Sequence, residues 1–216
     1  MRQRILKAAM ELFAKGGYDS VSMRKIAKKI EYSPGTIYLY FKNKNEIMLQ
    51  LCYQGFEQLL ALQENMEKIS DPSERLSTGG RYYVNFALEN PELYELMFAT
   101  EEIVQDPPLD EESVPLKVFR NFEKHVRKCL DAGIFSGGDA ETTAVALWAS
   151  LHGLASLLIK QRLRFLPEEN LDEINDQLNP FFDYLVLKTV VSAKKIKDFH
   201  HEDLDLGSDK QIDLRI

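Results

Sequence analysis

The chain is expected to be all-α, with an N-terminal three-helix lobe joined to a larger helical domain. Three observations lead there. Apolar residues recur at helical spacing along most of the length, and no stretch alternates apolar and polar residues as a half-buried strand does. Capping and breaking residues punctuate these runs. Charge is also divided along the chain. Residues 1–45 hold ten Lys or Arg and three Asp or Glu, a net of +7, which leaves −14 for the rest of a chain whose total is −7. A basic lobe on an acidic helical body points to a nucleic-acid module and a domain with another partner. The division expected is 1–45, 46–197, and a polar, loose tail over 198–216.

The elements follow in order. Ile5, Ala8, Ala9, Leu12 and Phe13 form an amphipathic stripe, stopped by Gly16 and Gly17. Ser22 caps a second helix carrying Ile26, Ala27 and Ile30 inward. Ser33 caps a third, with Pro34 in its first turn, where no amide hydrogen is needed. Asn43 and Glu46 begin a long fourth helix reaching about Lys68, the bridge between lobes. Asp71-Pro72 opens a helix through Glu89, and Asn90-Pro91 breaks it and starts a short one through Phe98. The acidic, Pro-containing stretch 101–112 reads as a loop. Helices follow over about Val114–Ala132, Ala140–Phe165 and Leu171–Lys197, the last interrupted at Pro180.

Residues 20–44 carry the most information. Two short helices joined by a tight turn, with basic side chains around them, are the layout of a helix-turn-helix, whose second helix enters the DNA major groove. Ile37 and Phe41 point to the core, while Thr36, Leu39 and Tyr40 share another face. Gly35 allows close backbone approach, Thr36 can touch a base edge, and Leu39 offers apolar contact. Ser22, Ser33, Tyr38, Tyr40 and Lys44 suit phosphates, and Arg24 can reach groove or backbone.

Ile5-Leu6-Lys7-Ala8-Ala9, Leu12-Phe13-Ala14, Gly16-Gly17-Tyr18, Met23-Arg24-Lys25-Ile26-Ala27 and Ser33 through Lys44 together resemble the DNA-binding domain of TetR/AcrR-type transcriptional regulators. That resemblance implies an all-helical homodimer that binds double-stranded operator DNA, usually represses, and is released by a small ligand in its C-terminal domain. It implies bases for Gly35, Thr36 and Leu39, and phosphates for Ser22, Ser33, Tyr38, Tyr40 and Lys44. Glu31 departs from it, standing where the family often has Gly in the turn; Tyr40 stands where His is frequent. A non-glycine residue held left-handed there costs roughly 1 kcal/mol.

In the C-terminal half, residues 82–98, with Trp148 and His152-Gly153, resemble one subgroup of these regulators more loosely. The large apolar residues there exceed ordinary need, and Tyr82, Phe86, Phe122, Trp148 and His152 are expected to line an apolar cavity for a small apolar ligand. His152 reads either as a satisfied core histidine or as the ligand's polar anchor. Leu147, Leu151, Leu154, Leu158 and Ile159 make one apolar stripe, and Phe181, Phe182, Leu185, Val186 and Val190 another. Two such helices per chain can pair with symmetry mates, or both can face one internal core.

Other classes find less support. Cys52 and Cys129 make neither a disulfide framework nor a zinc spacing, and read as buried thiols in a reducing, cytoplasmic setting. Met1–Gly16 is basic and amphipathic, but Lys7, Glu11 and Lys15 interrupt any secretory core and the segment runs into the motif. Ala144–Ile159 is too short and polar to favour a membrane span, and reads as a buried helix. No nucleophile, base and orienter stand at recognisable spacing, no cofactor motif is present, and His200-His201 is a weak metal pair. Two rivals remain: a helical small-molecule binder with weakened DNA affinity, which Glu31 favours, and an enzyme using the cavity with His152 as base.

Overall fold

Five of the expected helix starts form through side-chain caps in the computed structural model, which describes residues 1–99, 112–134 and 138–163. Ser22 Oγ accepts from the Lys25 amide at 3.3 Å, Ser33 Oγ from Thr36 at 3.3 Å, and Asn43 Oδ1 from Glu46 at 2.8 Å. Asp71 and Asp139 do the same for Glu74 and Thr142, at 2.7 and 2.8 Å. Each satisfies one amide that the first helical turn leaves without a partner. Glu46 reaches back to the Lys42 amide at 2.6 Å, one residue before the cap itself.

The helices are α1 (Arg2–Gly16), α2 (Met23–Lys29), α3 (Pro34–Tyr38), α4 (Lys44–Met66), α5 (Pro72–Glu89), α6 (Pro91–Ala99), α7 (Val114–Asp131) and α8 (Ala140–Ile159). No strand occurs among the described residues. The expected loop over 101–112, all but its last residue, and the helix over 171–197, stripe at Phe181–Val190, His200-His201 pair and tail lie outside them.

Three helices end in the same way. Glu31, Gly133 and Gln161 adopt φ of 62°, 71° and 50°. After each, the next amide returns to the carbonyl five residues back: Tyr32 to Ala27, Ile134 to Cys129, Arg162 to Leu157. This left-handed stop satisfies carbonyls that the last turn leaves open. It ends α8 at Ile159, six residues before the expected Phe165, because Gln161 takes the role normally given to glycine.

One apolar core runs from Ile5, Ile26 and Ile37 through Ile47, Leu51 and Phe56 of α4 to Tyr94 and Met97 of α6. It crosses the boundary expected near residue 45 without a break. Gly55 lets α6 lie close to α4, since a Cβ there would collide with the Met97 side chain. A second cluster joins Leu76 of α5, Val126 and Cys129 of α7, and Ala144 and Leu147 of α8. Cys52 and Cys129 are buried and free. Burial pushes their thiols up to about 12 and about 11, so both behave as small apolar groups.

The expectation that α8 is a buried helix holds for one side only. Leu147 and Leu151 pack inward, while Val145, Trp148 and Leu157 are exposed. Among the described residues α8 alone has the length and apolarity of a membrane span, and it packs on α5 and α7.

Candidate nucleic-acid interface and internal cavity

Ile37 and Phe41 are fully buried and set the roll of α3. That leaves Tyr38, Leu39 and Tyr40 outside, at 56, 82 and 40 % exposure. α3 is only five residues long, so Leu39 caps it and Tyr40 lies beyond, in a tightened turn closed by the Tyr40 amide on the Ile37 carbonyl at 2.9 Å. Leu39 and Tyr40 therefore lie at and beyond the end of the helix, rather than on the one helical face that the spacing had given them with Thr36.

Ser22, Arg24, Ser33 and Gly35 are also exposed, and Thr36 is half-buried. The Thr36 hydroxyl meets Ser33 Oγ at 3.1 Å, which couples this base-edge candidate to the cap. The Ser22 and Ser33 oxygens accept backbone amides, which leaves the Ser22 hydroxyl hydrogen for an anion, and that of Ser33 where Thr36 is the donor between them. Gly35 has no internal need to be glycine: an added Cβ would meet only Ser33 Oγ, at an ordinary 3.6 Å.

Lys44, expected to face phosphate, also has contacts within the lobe. Its ammonium donates to the Tyr18 carbonyl at 2.9 Å and lies 3.7 Å from the centroid of the Tyr18 ring. Arg2, counted in the sequence only as a charge, donates to the Tyr40 carbonyl at 3.2 Å and to Gln50 Oε1 at 2.8 Å, over the Phe41 ring. It ties the segment after α3 to α1 and α4. These pairings span 38 and 48 residues, beyond any local pattern.

The C-terminal helices line a half-open cavity of about 490 Å³, walled by α4, α5, α6, α7 and α8. Phe122 and Trp148 line it. Tyr82 does not; it is exposed, and its neighbour Tyr83 takes the wall. Phe86 is buried in the main core. His152 lines a separate, smaller pocket of about 300 Å³ with Tyr94 and Lys160. Its Nδ1 lies 2.7 Å from the Tyr94 hydroxyl and 3.3 Å from that of Tyr83. The two hydroxyls are 2.9 Å apart, and Trp148 Nε1 donates to Tyr83 at 3.1 Å. His152 is half-buried, with Nδ1 within reach of both hydroxyls. Burial holds its imidazole below the usual range, and pushes Tyr83 up to about 12 and Tyr94 higher still.

His125, which no sequence pattern singled out, lines the large cavity and is 1 % exposed. Neither ring nitrogen has a hydrogen-bond partner. Burial pushes its pKa down to about 4. It lies in a strongly amphipathic helix beside Lys124, Arg127 and Lys128, where it reads as one more polar residue.

Comparison with known proteins agrees with this architecture. The model of bacterial regulatory proteins of the tetR family matches residues 5–51, and that of the tetracyclin repressor-like C-terminal domain matches residues 76–179. An uncharacterised HTH-type transcriptional regulator of Haemophilus influenzae is 33% identical over 92 residues, 42% of this chain and 49% of that one. The fatty acid metabolism regulator protein of Bacillus subtilis is 36% identical over 75 residues, 34% of this chain and 39% of that one. The chain spans less than half the length of these curated relatives. Among solved structures, the TetR family regulator PfmR of Thermus thermophilus superposes with a TM-score of 0.64 at 20% identity, over 87% of this chain and 95% of that one. With both halves matched in order and the same helical architecture, the chain belongs to the TetR family of transcriptional regulators.

Proposed function

We propose that this chain is a cytoplasmic, homodimeric repressor that binds double-stranded operator DNA and leaves it when a small, largely apolar molecule fills the internal cavity. The observation that carries the DNA-binding part is Leu39. A leucine 82 % exposed, flanked by exposed Tyr38 and Tyr40 on a lobe of net charge +7, makes poor sense against water and good sense against a groove. One short helix contacts too few bases for useful specificity, so a dimer reading two half-sites fits the reading. Leu157, exposed on α8 and outside the cavity lining, is a candidate point for it. Release requires that the ligand bind the DNA-incompetent arrangement more tightly, since equal affinity for both shifts nothing. No step here uses catalysis, a cofactor or a metal.

The test is DNA affinity against salt, on a sequence obtained by selection. With roughly four phosphate contacts from each half, the log–log slope is expected near about −7. Affinity that stays flat from low to moderate salt would remove the groove contacts and the reading with them.

A further inference from the structure

Five side chains on the cavity wall carry nitrogen or oxygen: Gln63, Tyr83, His125, Glu141 and Trp148. Four have partners within the protein. Gln63 donates to the Val118 carbonyl at 3.2 Å and accepts from Asn121 at 3.3 Å. Tyr83 and Trp148 belong to the hydroxyl network around Tyr94. Glu141, at the exposed rim, meets Arg120 at 3.6 Å. His125 alone has none, although it is buried. Buried polar groups are nearly always satisfied, and an orphan on a cavity wall, with both ring nitrogens covered in this structure, points to a partner taken up from outside with a turn of the side chain.

The wall also constrains that partner's charge. No Lys or Arg is among the described residues that line it. The imidazole is held neutral by burial; Arg75, Lys124 and Lys128 push the same way and Glu67 opposes them. A neutral imidazole offers one N–H and one lone pair. An anion would find no counter-charge on the wall and would share it with the Glu141 carboxylate, whereas a neutral oxygen group would satisfy the ring.

We propose that His125 anchors the ligand of this cavity, and that this ligand is an apolar molecule bearing one neutral oxygen group, a hydroxyl or a carbonyl. The proposal rests on the ligand-responsive reading above and narrows it to one side chain and one ligand class.

The full chain is titrated with 1-decanol, 2-decanone and decanoate at pH 7.5, following the fluorescence of Trp148, the single tryptophan and a wall residue. The alcohol and ketone are expected to bind, and decanoate at least about tenfold more weakly. His125→Phe should weaken decanol about tenfold, and His125→Gln, which both donates and accepts, should recover most of that. In the unsubstituted chain, the ring nitrogen resonances of His125 should move when decanol is added; this arm holds even where the phenylalanine variant does not fold. Equal decanol affinity in the chain and in His125→Phe, decanoate binding tighter than decanol, unmoved ring resonances, or no binding of either neutral probe each overturn the proposal. DNA affinity on the same samples separates the two readings. Protein that binds DNA but fails these arms keeps the regulator and loses the anchor; protein that binds no DNA loses the regulator.

Discussion

Gly35 and His125 are unusual for opposite reasons. Gly35 sits near the start of α3 with room for a methyl group, so nothing inside the protein forbids alanine. Alanine is favoured over glycine in a helix by up to about 1 kcal/mol. Gly35→Ala is therefore expected to leave the melting temperature unchanged or raised, while DNA affinity falls about tenfold because the methyl group stands between backbone and groove. Unchanged DNA affinity in a folded variant would place Gly35 away from the interface. His125 instead has too little around it. Its pKa falls from 6.5 to about 4 on folding, so the unfolded chain takes up a proton first as pH drops. A depressed histidine adds stability that is present above pH 6.5 and lost between there and about 4, a change on the order of 3 kcal/mol. His152, also depressed, acts in the same direction. Urea unfolding at pH 7 and pH 5 should show the loss, and His125→Phe should shrink it without abolishing it. An identical pH dependence in the variant would contradict the burial argument.

At the scale of elements, the helix starts were legible because capping is local: Ser22, Ser33, Asn43, Asp71 and Asp139 each bond an amide three residues on. The stops were legible only where glycine or proline supplied them. The stop at Gln161 was not, because a side-chain-bearing residue in left-handed conformation leaves no mark in composition. Glu31 was readable only by its departure from the family pattern, and its φ of 62° places it at the left-handed stop of α2. Glu31→Gly should raise stability by about 1 kcal/mol in chemical denaturation. It should also strengthen DNA binding, since one negative charge leaves the turn before α3. A variant equally stable and no tighter on DNA would show that this turn is unstrained and remote from phosphate.

Across the whole molecule, the single core that links α1 and α3 to α4 and α6 gives cavity and DNA lobe a shared packed path. Such a path is necessary for coupling and does not by itself demonstrate it. The outward face of α8 bears on assembly. The stripe read from the sequence, through Leu147, Leu151 and Leu158, turns mostly into the protein; Val145 borders the cavity and Leu157 faces out. Leu157→Asp is therefore expected to give folded monomers, seen by sedimentation together with circular dichroism. A folded dimer would move the interface off α8.

The order of helices, the DNA-reading lobe and the partition of charge all followed from the sequence alone. Each rests on spacing within a few residues, or on sums over a segment, and both survive without knowing what packs on what. The choice between faces did not. Adjacent residues on a helix are separated by about 100°, so one position decides whether a side chain meets a cavity, a core or water. Tyr83 rather than Tyr82 reaches the cavity, Leu157 rather than Leu158 faces out, and His152 finds two hydroxyls while His125 finds none. Tertiary packing set those rolls through contacts between residues far apart in the chain, such as Tyr83 with His152, 69 residues away.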